Sequence, residues 1–331
     1  MAETIEMERP RVVILLGPTG VGKSRLVIEW AEELGGEIVS ADSMQVYRYM
    51  NIGTAKPTLD EQKRVRHHMI DLVTPDQPFH AGLYRILARK TIDQLDKNGE
   101  PIWVVGGTGL YIKVLTQGLF AQPRIDPNVR KKLKQEAEEK GEAFLYERLK
   151  KVDPKTASLI YPRDLFRALR ALEVFDSTGI PISFFREQHR FGEKPYHTLK
   201  IGLETNRETL YRRIEQRVDQ MIERGFLQEV KGLMEMGYGP ELKPMQSLGY
   251  KQIVQFLSKE MEWTEAVRQM KRDTRHYAKR QWTWFKADPE VRWQDESFDR
   301  QRMLLEIKSF LRRGGSTPLE GRGFNPGLDK E

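Results

Sequence analysis

Apolar residues along this chain fall into two rhythms. From Arg11 to Gly17 the run RVVILLG is aliphatic and β-branched and closes on glycine, the pattern of a parallel strand buried on both faces. From Lys23 to Leu34 the rhythm is helical: Leu26, Val27, Trp30, Ala31 and Leu34 share one side, and Gly35-Gly36 ends the helix. Residues 37–41 (EIVSA), 68–73 (HMIDLV) and 102–105 (IWVV, closed by Gly106-Gly107) read as further strands, with a helix over 82–97 between them. Strands alternating with helices predict right-handed βαβ units, hence an α/β fold whose parallel sheet is flanked by helices.

The alternation stops after Gly118. Residues 124–151 are charged and helical, and 164–177 (DLFRALRALEVFDS) form an amphipathic helix, with Pro154, Pro162, Pro181 and Pro195 punctuating the stretch. Residues 199–204 (LKIGLE) then read as a strand that rejoins the sheet. An all-helical domain at 123–195 is thus inserted into an α/β core made of 1–122 and 196–312. From Asn206, a natural N-cap, to Lys286 the chain is mostly helical, broken at Gly225 and at 237–240. The Gly/Pro-rich segment 313–331 is expected to be a disordered tail.

Composition narrows this picture slightly. The chain has 331 residues, 39% hydrophobic and 31% charged, as a globular protein has. No apolar run approaches the roughly 20 residues of a membrane helix, so no membrane partner is expected. Residues 1–10 are polar, with Glu3, Glu6 and Glu8, and do not read as a signal peptide. There is no cysteine, which excludes disulfides, thiolate catalysis and thiolate zinc sites, and agrees with a cytoplasmic location. A net charge of +7 permits a nucleic-acid partner without specifying one.

The sharpest local signal is Gly17-Pro18-Thr19-Gly20-Val21-Gly22-Lys23-Ser24, which satisfies G-x-x-x-x-G-K-[ST] between a strand and a helix. Glycines let successive N–H groups turn toward one anion, the helix presents its positive end there, Lys23 adds a cation, and the Ser24 hydroxyl can ligate Mg²⁺. This predicts a phosphate or diphosphate cradle in a P-loop NTPase-like sheet, with a nucleotide hydrolase or small-molecule kinase as the default chemistry. Asp71 is the one fair candidate for a strand-end aspartate helping to hold Mg²⁺; a cap or turn role fits it equally well. The histidines show no metal-ligand spacing. Asp42 closes the second strand, at the end of the sheet where ligands bind. If that strand neighbours the first, Asp42 faces the phosphates, either as a general base on an incoming nucleophile or as a turn aspartate.

A wider resemblance bears on that choice. GPTGVGKS (17–24), ADSMQVYRYMNIGTAKP (41–57), HHMIDL (67–72) and VVGGTGLYI (104–112), followed by RDLFRALRALEVF (163–175), SLGYKQ (247–252) and TRHYAKRQWTWF (274–285), resemble in order the motif set of the tRNA dimethylallyltransferases, or tRNA isopentenyltransferases. Eukaryotic relatives carry a C-terminal zinc finger; this cysteine-free chain is similar to the bacterial form. The resemblance implies transfer of a dimethylallyl group from dimethylallyl diphosphate to N6 of the adenosine 3′-adjacent to the anticodon. It implies that residues 17–24 hold the diphosphate with Mg²⁺ at Ser24, and that Asp42 is the base. It implies that Thr19 and Arg217 are catalytic groups that hold the diphosphate. It also implies tRNA contacts at Asp42, Ser43, Met44, Gln45, Thr108, Arg130, Arg163, Arg167, Gly249, Lys251, Arg272, Arg275 and Lys279. The target base must then be flipped out of its stacked loop. Alone, Arg217 would read as a solvated helix face and Thr108 as a helix N-cap.

Residues 271–286 carry Lys271, Arg272, Arg275, Lys279, Arg280 and Lys286 against one acid, Asp273. Arg272, Arg275, Lys279 and Lys286 fall near one helical face with Trp282, a stripe that alone reads either as a solvated face or as a phosphate-binding one; the resemblance implies the phosphates of a tRNA anticodon stem-loop. Tyr277 and Trp284 fall on another face and are expected in the core. A monomer is expected, because a tRNA-sized substrate needs a wide cleft. The rivals are a small-molecule kinase, an isopentenyltransferase acting on free adenine nucleotides, and a non-catalytic RNA binder. The first two leave the basic insertion and stripe without a use, and the third leaves Lys23, Ser24 and Asp42 without one.

Overall fold

The computed structural model describes residues 9–120 and 126–312, so the tail expected at 313–331 lies outside the described residues. In chain order the elements are β1 (Arg11–Leu16), α1 (Lys23–Leu34), β2 (Glu37–Ser40), α2 (Leu59–Arg64), β3 (His67–His68), α3 (Ala81–Lys97), β4 (Ile102–Gly106) and α4 (Gly109–Gln117). There follow α5 (Pro127–Lys140), α6 (Glu142–Val152), α7 (Pro154–Ser158), α8 (Leu165–Thr178) and α9 (Ile182–His189). The chain then returns through β5 (His197–Leu203), α10 (Arg207–Glu223), α11 (Phe226–Glu235), α12 (Tyr250–Leu257), α13 (Trp263–Lys286), β6 (Val291–Gln294) and α14 (Arg300–Leu311).

The six strands form one parallel sheet in the order β3-β2-β4-β1-β5-β6. Five of the six residues of β1 are buried, as a central strand covered on both faces requires. β5 rejoins the sheet beside β1, with Val13 opposite Leu199. Three details depart from the sequence pattern. β4, not β2, neighbours β1 on that side. The strand expected over 68–73 is only His67–His68, because Met69 (φ 63°) and Asp71 (φ 52°) turn the backbone left-handed. β6, VRWQ, adds an edge strand that the sequence pattern did not signal.

The described residues divide into two compact units, one within 9–112 and 196–312, the other within 113–120 and 126–195. In the first, one core packs α1, α10 and α14 against the sheet around Val13, Leu15, Trp30, Trp103, Ile201 and Ile307. A second core joins the loop after β2 to helices α10 to α13, through Val46, Met50, Val218, Phe226, Tyr250 and Met270. The second unit has its own core, with Leu133, Leu145, Leu149, Leu169, Leu172 and Ile182 buried between its helices.

Candidate active site

The site lies at the carboxyl ends of the strands. Residues 17–22 link β1 to α1, and Lys23 and Ser24 open that helix. Gly17 has φ +144°, and a Cβ there would stand 2.6 Å from the Leu203 carbonyl oxygen of β5, so only glycine lets the loop leave the sheet at this point. Lys23 folds over the loop, its Nζ donating to the carbonyls of Gly17 (2.9 Å) and Pro18 (2.8 Å). Burial, then the nearby Arg217 charge, lowers its pKa to about 7, and Asp42 opposes that shift.

Asp42 follows β2 by two residues. Its Oδ1 accepts from the N–H groups of Met44 (2.8 Å) and Gln45 (3.3 Å), as a turn aspartate does. Oδ2 accepts nothing among the described residues, so one carboxylate oxygen fixes the turn and leaves the other unengaged. β2 is not adjacent to β1, yet Asp42 reaches the phosphate loop. The reason is Gly106 at the end of the intervening β4: a Cβ there would stand 2.1 Å from the Ala41 carbonyl oxygen, so the two strand ends can converge. Thr108 ties the same turn down. Its N–H donates to the Ala41 carbonyl (3.1 Å), and its Oγ1 accepts from the Ser43 N–H (3.0 Å). Gln45 is locked as well, accepting from Ser40 Oγ (2.9 Å) and donating to the Ala55 carbonyl (3.2 Å).

Helices α10 and α13 close the site from the opposite side. Arg217 on α10 donates to Thr19 Oγ1 (3.3 Å), so these two expected diphosphate groups meet. Burial pulls the Arg217 pKa down and Asp42 pulls it up. Arg217 is therefore not on a solvated helix face. Gln281 on α13 accepts from the Thr19 N–H (2.9 Å) and donates to the Gly107 carbonyl (2.8 Å), stapling the phosphate loop to the turn after β4. Tyr277, expected in the core, instead lines the site in hydrogen-bonding contact with Thr108 and Gln281; burial and then Asp42 raise its pKa, so it stays a neutral phenol.

Two cavities adjoin here. A polar one of about 100 Å³ is lined by Thr19, Lys23, Ser24, Ser40, Gln45 and Gln281 among others. A larger one of about 340 Å³ is mostly apolar, walled by Ile214, Val218, Met221, Phe226, Tyr250 and Met270. Thr19, Asp42, Thr54, Arg217 and Tyr277 line both, so the carboxylate stands where the polar cavity meets the apolar chamber.

Asp71 is not part of this site. It lines neither cavity, sits in a left-handed turn, and accepts from Lys56 Nζ at 2.6 Å, which supports its turn role over metal binding. Gly249 caps α12 and lines the chamber, with Ser43 and Met44. Lys251 is exposed at a neighbouring cavity of about 350 Å³ with Gln246, Asp273, His276 and Arg280. Of the α13 stripe, Arg272 pairs with Asp273 (2.8 Å) and Arg275 with Glu215, while Lys279 is exposed with no partner among the described residues. Trp284, also expected in the core, is 47% exposed. In the second unit Arg130 pairs with Glu173 (2.7 Å) and Arg167 with Asp164 (2.5 Å), and Arg163 is exposed without a partner among the described residues. Sequence reasoning missed Gln281 and Phe226. The signal for Gln281 was present: an amide on the inward stripe Ala278, Gln281, Phe285 of an otherwise basic helix.

Fold and site together define a P-loop α/β protein whose polar loop-side cavity adjoins an apolar chamber along a wall that includes Asp42. The family model described as IPP transferase matches residues 45–288, and the chain belongs to this family. It is 53% identical over 306 residues to a tRNA dimethylallyltransferase of Desulfosudis oleivorans, covering 92% of this chain and 98% of the relative. It is 56% identical over 284 residues to one of Syntrophobacter fumaroxidans, covering 86% and 83%. The crystal structure of a full-length tRNA isopentenylpyrophosphate transferase from Bacillus halodurans is similar, at 37% identity and TM-score 0.68, over 92% of this chain and 96% of that one. A eukaryotic dimethylallyltransferase, caught in crystallographic snapshots acting on tRNA, gives TM-score 0.74 at 29% identity, over 89% and 78%. Among the described residues no helix is long and apolar enough to cross a membrane.

Proposed function

We propose that this protein transfers the dimethylallyl group of dimethylallyl diphosphate to N6 of the tRNA adenosine on the 3′ side of the anticodon. The observation that carries this reading is the wall of Thr19, Asp42 and Arg217 shared by the polar and the apolar cavity. A phosphate cradle alone serves a kinase equally well; one that opens onto an apolar chamber beside a carboxylate suits a substrate with an anionic head and a hydrocarbon tail.

The chemistry follows from the placement. The allylic C–O bond breaks and its electron pair leaves with the diphosphate, where loop amides, Lys23 and Arg217 stabilise the growing charge. The exocyclic N6 forms the new C–N bond, and its proton passes to Asp42 Oδ2. Thr19 is oriented from both ends, by Arg217 on its hydroxyl and by Gln281 on its N–H. A divalent ion such as Mg²⁺ fits the polar cavity. The Ser24 hydroxyl is a hard oxygen donor lining it, and the described residues hold no cluster of three His, Asp or Glu, so substrate phosphates and water would complete the shell that Mg²⁺ favours. Bound there, the ion adds charge neutralisation on the leaving diphosphate.

The anticodon stem-loop is the proposed RNA partner, with Lys251, Lys279, Arg280 and, in the second unit, Arg163 the exposed cations offered to its phosphates. Incubation with Mg²⁺, labelled dimethylallyl diphosphate and either unmodified tRNA or AMP tests the reading. Label in tRNA alone supports it. Label in AMP points to a free-nucleotide enzyme, and no label in either rejects prenyl transfer.

A further inference from the structure

The apolar chamber has a direction. Helices α10 and α13 run antiparallel along it, since Arg275 pairs with Glu215 and Lys271 with Asp219. One end is polar, with Thr19, Arg217 and Tyr277 beside the phosphate loop. The other is bounded by Val218, Met221, Phe226 and Met270. Val218, Phe226, Tyr250 and Met270 are buried members of the second core, and Met221 is half-buried against it.

Phe226 is held there as a fixed stop. A Cβ on Gly53 would stand 2.2 Å from its ring, and a Cβ on Gly249 would stand 2.9 Å from it, so two glycine backbones lie close against the phenyl group. Tyr250 packs edge-on against it, with ring centroids 4.9 Å apart. The Gly53 wall is itself pinned. Glu229, one helical turn after Phe226 on α11, accepts from the N–H groups of Asn51 (2.8 Å), Ile52 (2.7 Å) and Gly53 (3.1 Å), and from the Tyr250 hydroxyl (2.7 Å). A ring so enclosed has no space to swing aside, because a packed interior does not yield by a methylene without cost.

We infer that Phe226 is the chain-length determinant of the prenyl donor, a stop that admits a five-carbon allylic tail and excludes a ten-carbon one. The inference rests on the proposed prenyl transfer. With the diphosphate in the polar cavity, the tail enters the chamber from the polar end and runs toward Phe226, while the adenine must share the same volume near Asp42. A second isoprene unit would have to occupy the space of the Phe226 ring. Glu229 acts through this wall as a positioning residue.

The test compares kcat/KM for geranyl diphosphate with that for dimethylallyl diphosphate, with unmodified tRNA as acceptor, in the wild-type chain, Phe226→Leu and Phe226→Ala. Phe226→Leu keeps the second core filled with an apolar side chain, so the comparison stands if Phe226→Ala fails to fold. The geranyl-to-dimethylallyl ratio is expected to rise roughly tenfold or more in Phe226→Ala, and less in Phe226→Leu, in line with methylene-scale discrimination in apolar pockets. A ratio unchanged in Phe226→Leu, with dimethylallyl transfer retained, overturns the inference. A wild-type chain that transfers neither group to tRNA overturns instead the prenyl-transfer reading beneath it.

Discussion

The polar cavity and the apolar chamber meet at one carboxylate but arise in different ways. The polar cavity is local: Gly17 to Ser24 are consecutive, and Asp42 and Thr108 each follow the end of a strand. Its chemistry is backbone N–H groups and short polar side chains, which demand glycine, lysine and serine at set spacing. The chamber is assembled from α10, α11, α12 and α13, and its walls Ile214 and Met270 are 56 residues apart in sequence. Any apolar residue of suitable size builds such a wall, so no motif marks it. On the proposed reading, the half that would hold the leaving diphosphate is thus written in a short pattern, and the half that would hold the transferred group is written in tertiary packing.

Substitutions can break this division. The largest effect is expected on the shared wall. Asp42→Asn removes the proton acceptor while keeping a side-chain oxygen for the Met44 and Gln45 N–H groups, so the turn survives. Single-turnover transfer is expected to fall roughly 10²–10⁴-fold, with tRNA affinity retained in a filter-binding titration. Near-normal turnover would remove Asp42 from the chemistry.

Arg217→Ala tests whether the polar half depends on a helix of the apolar half. Loss of a hydrogen bond from a charged group costs about 1.5–3 kcal/mol, so dimethylallyl diphosphate affinity should weaken roughly tenfold to a hundredfold. Calorimetric titration with the diphosphate measures it; unchanged affinity would return Arg217 to a solvated surface role. Gln281→Leu cuts the staple between the halves, leaving the Thr19 N–H and the Gly107 carbonyl without their partner. Leaving such a group unsatisfied costs about 1–3 kcal/mol, so thermal unfolding should shift downward and transfer should slow, with KM for tRNA little changed.

The smallest effect is a pH dependence confined to the polar half. Lys23 has its pKa lowered to about 7, so above that pH the substrate-free lysine is mostly neutral, while the diphosphate binds the protonated form. Diphosphate affinity should therefore fall as pH rises above about 7, with proton uptake on binding visible in buffers of different ionisation enthalpy. Phe226→Leu should leave this profile in place, and Lys23→Arg should abolish it.

Much of this arrangement was legible in the sequence, and the rest was hidden for physical reasons. The strands at 11–16 and 102–106 and the loop at 17–24 announce themselves because buried parallel strands and phosphate cradles tolerate few residue types. The strand order did not: nothing local in EIVS specifies that β4 separates β2 from β1. Tyr277 and Trp284 were expected in the core because helical periodicity gives a face but not what the face meets. Arg275 shares its face with Lys279, yet tertiary packing brings Glu215 onto Arg275 and leaves Lys279 exposed.

The most direct test of the central claim follows both products in one sample. Wild-type protein, Mg²⁺, dimethylallyl diphosphate and unmodified tRNA are mixed under single-turnover conditions. Released diphosphate is quantified, and the modified nucleoside is located by mass spectrometry of ribonuclease fragments. Diphosphate and N6-dimethylallyl-adenosine on the 3′ side of the anticodon are expected in equal amounts and with one time course. Diphosphate released without a modified base, or a prenyl group on another nucleoside, would contradict the account.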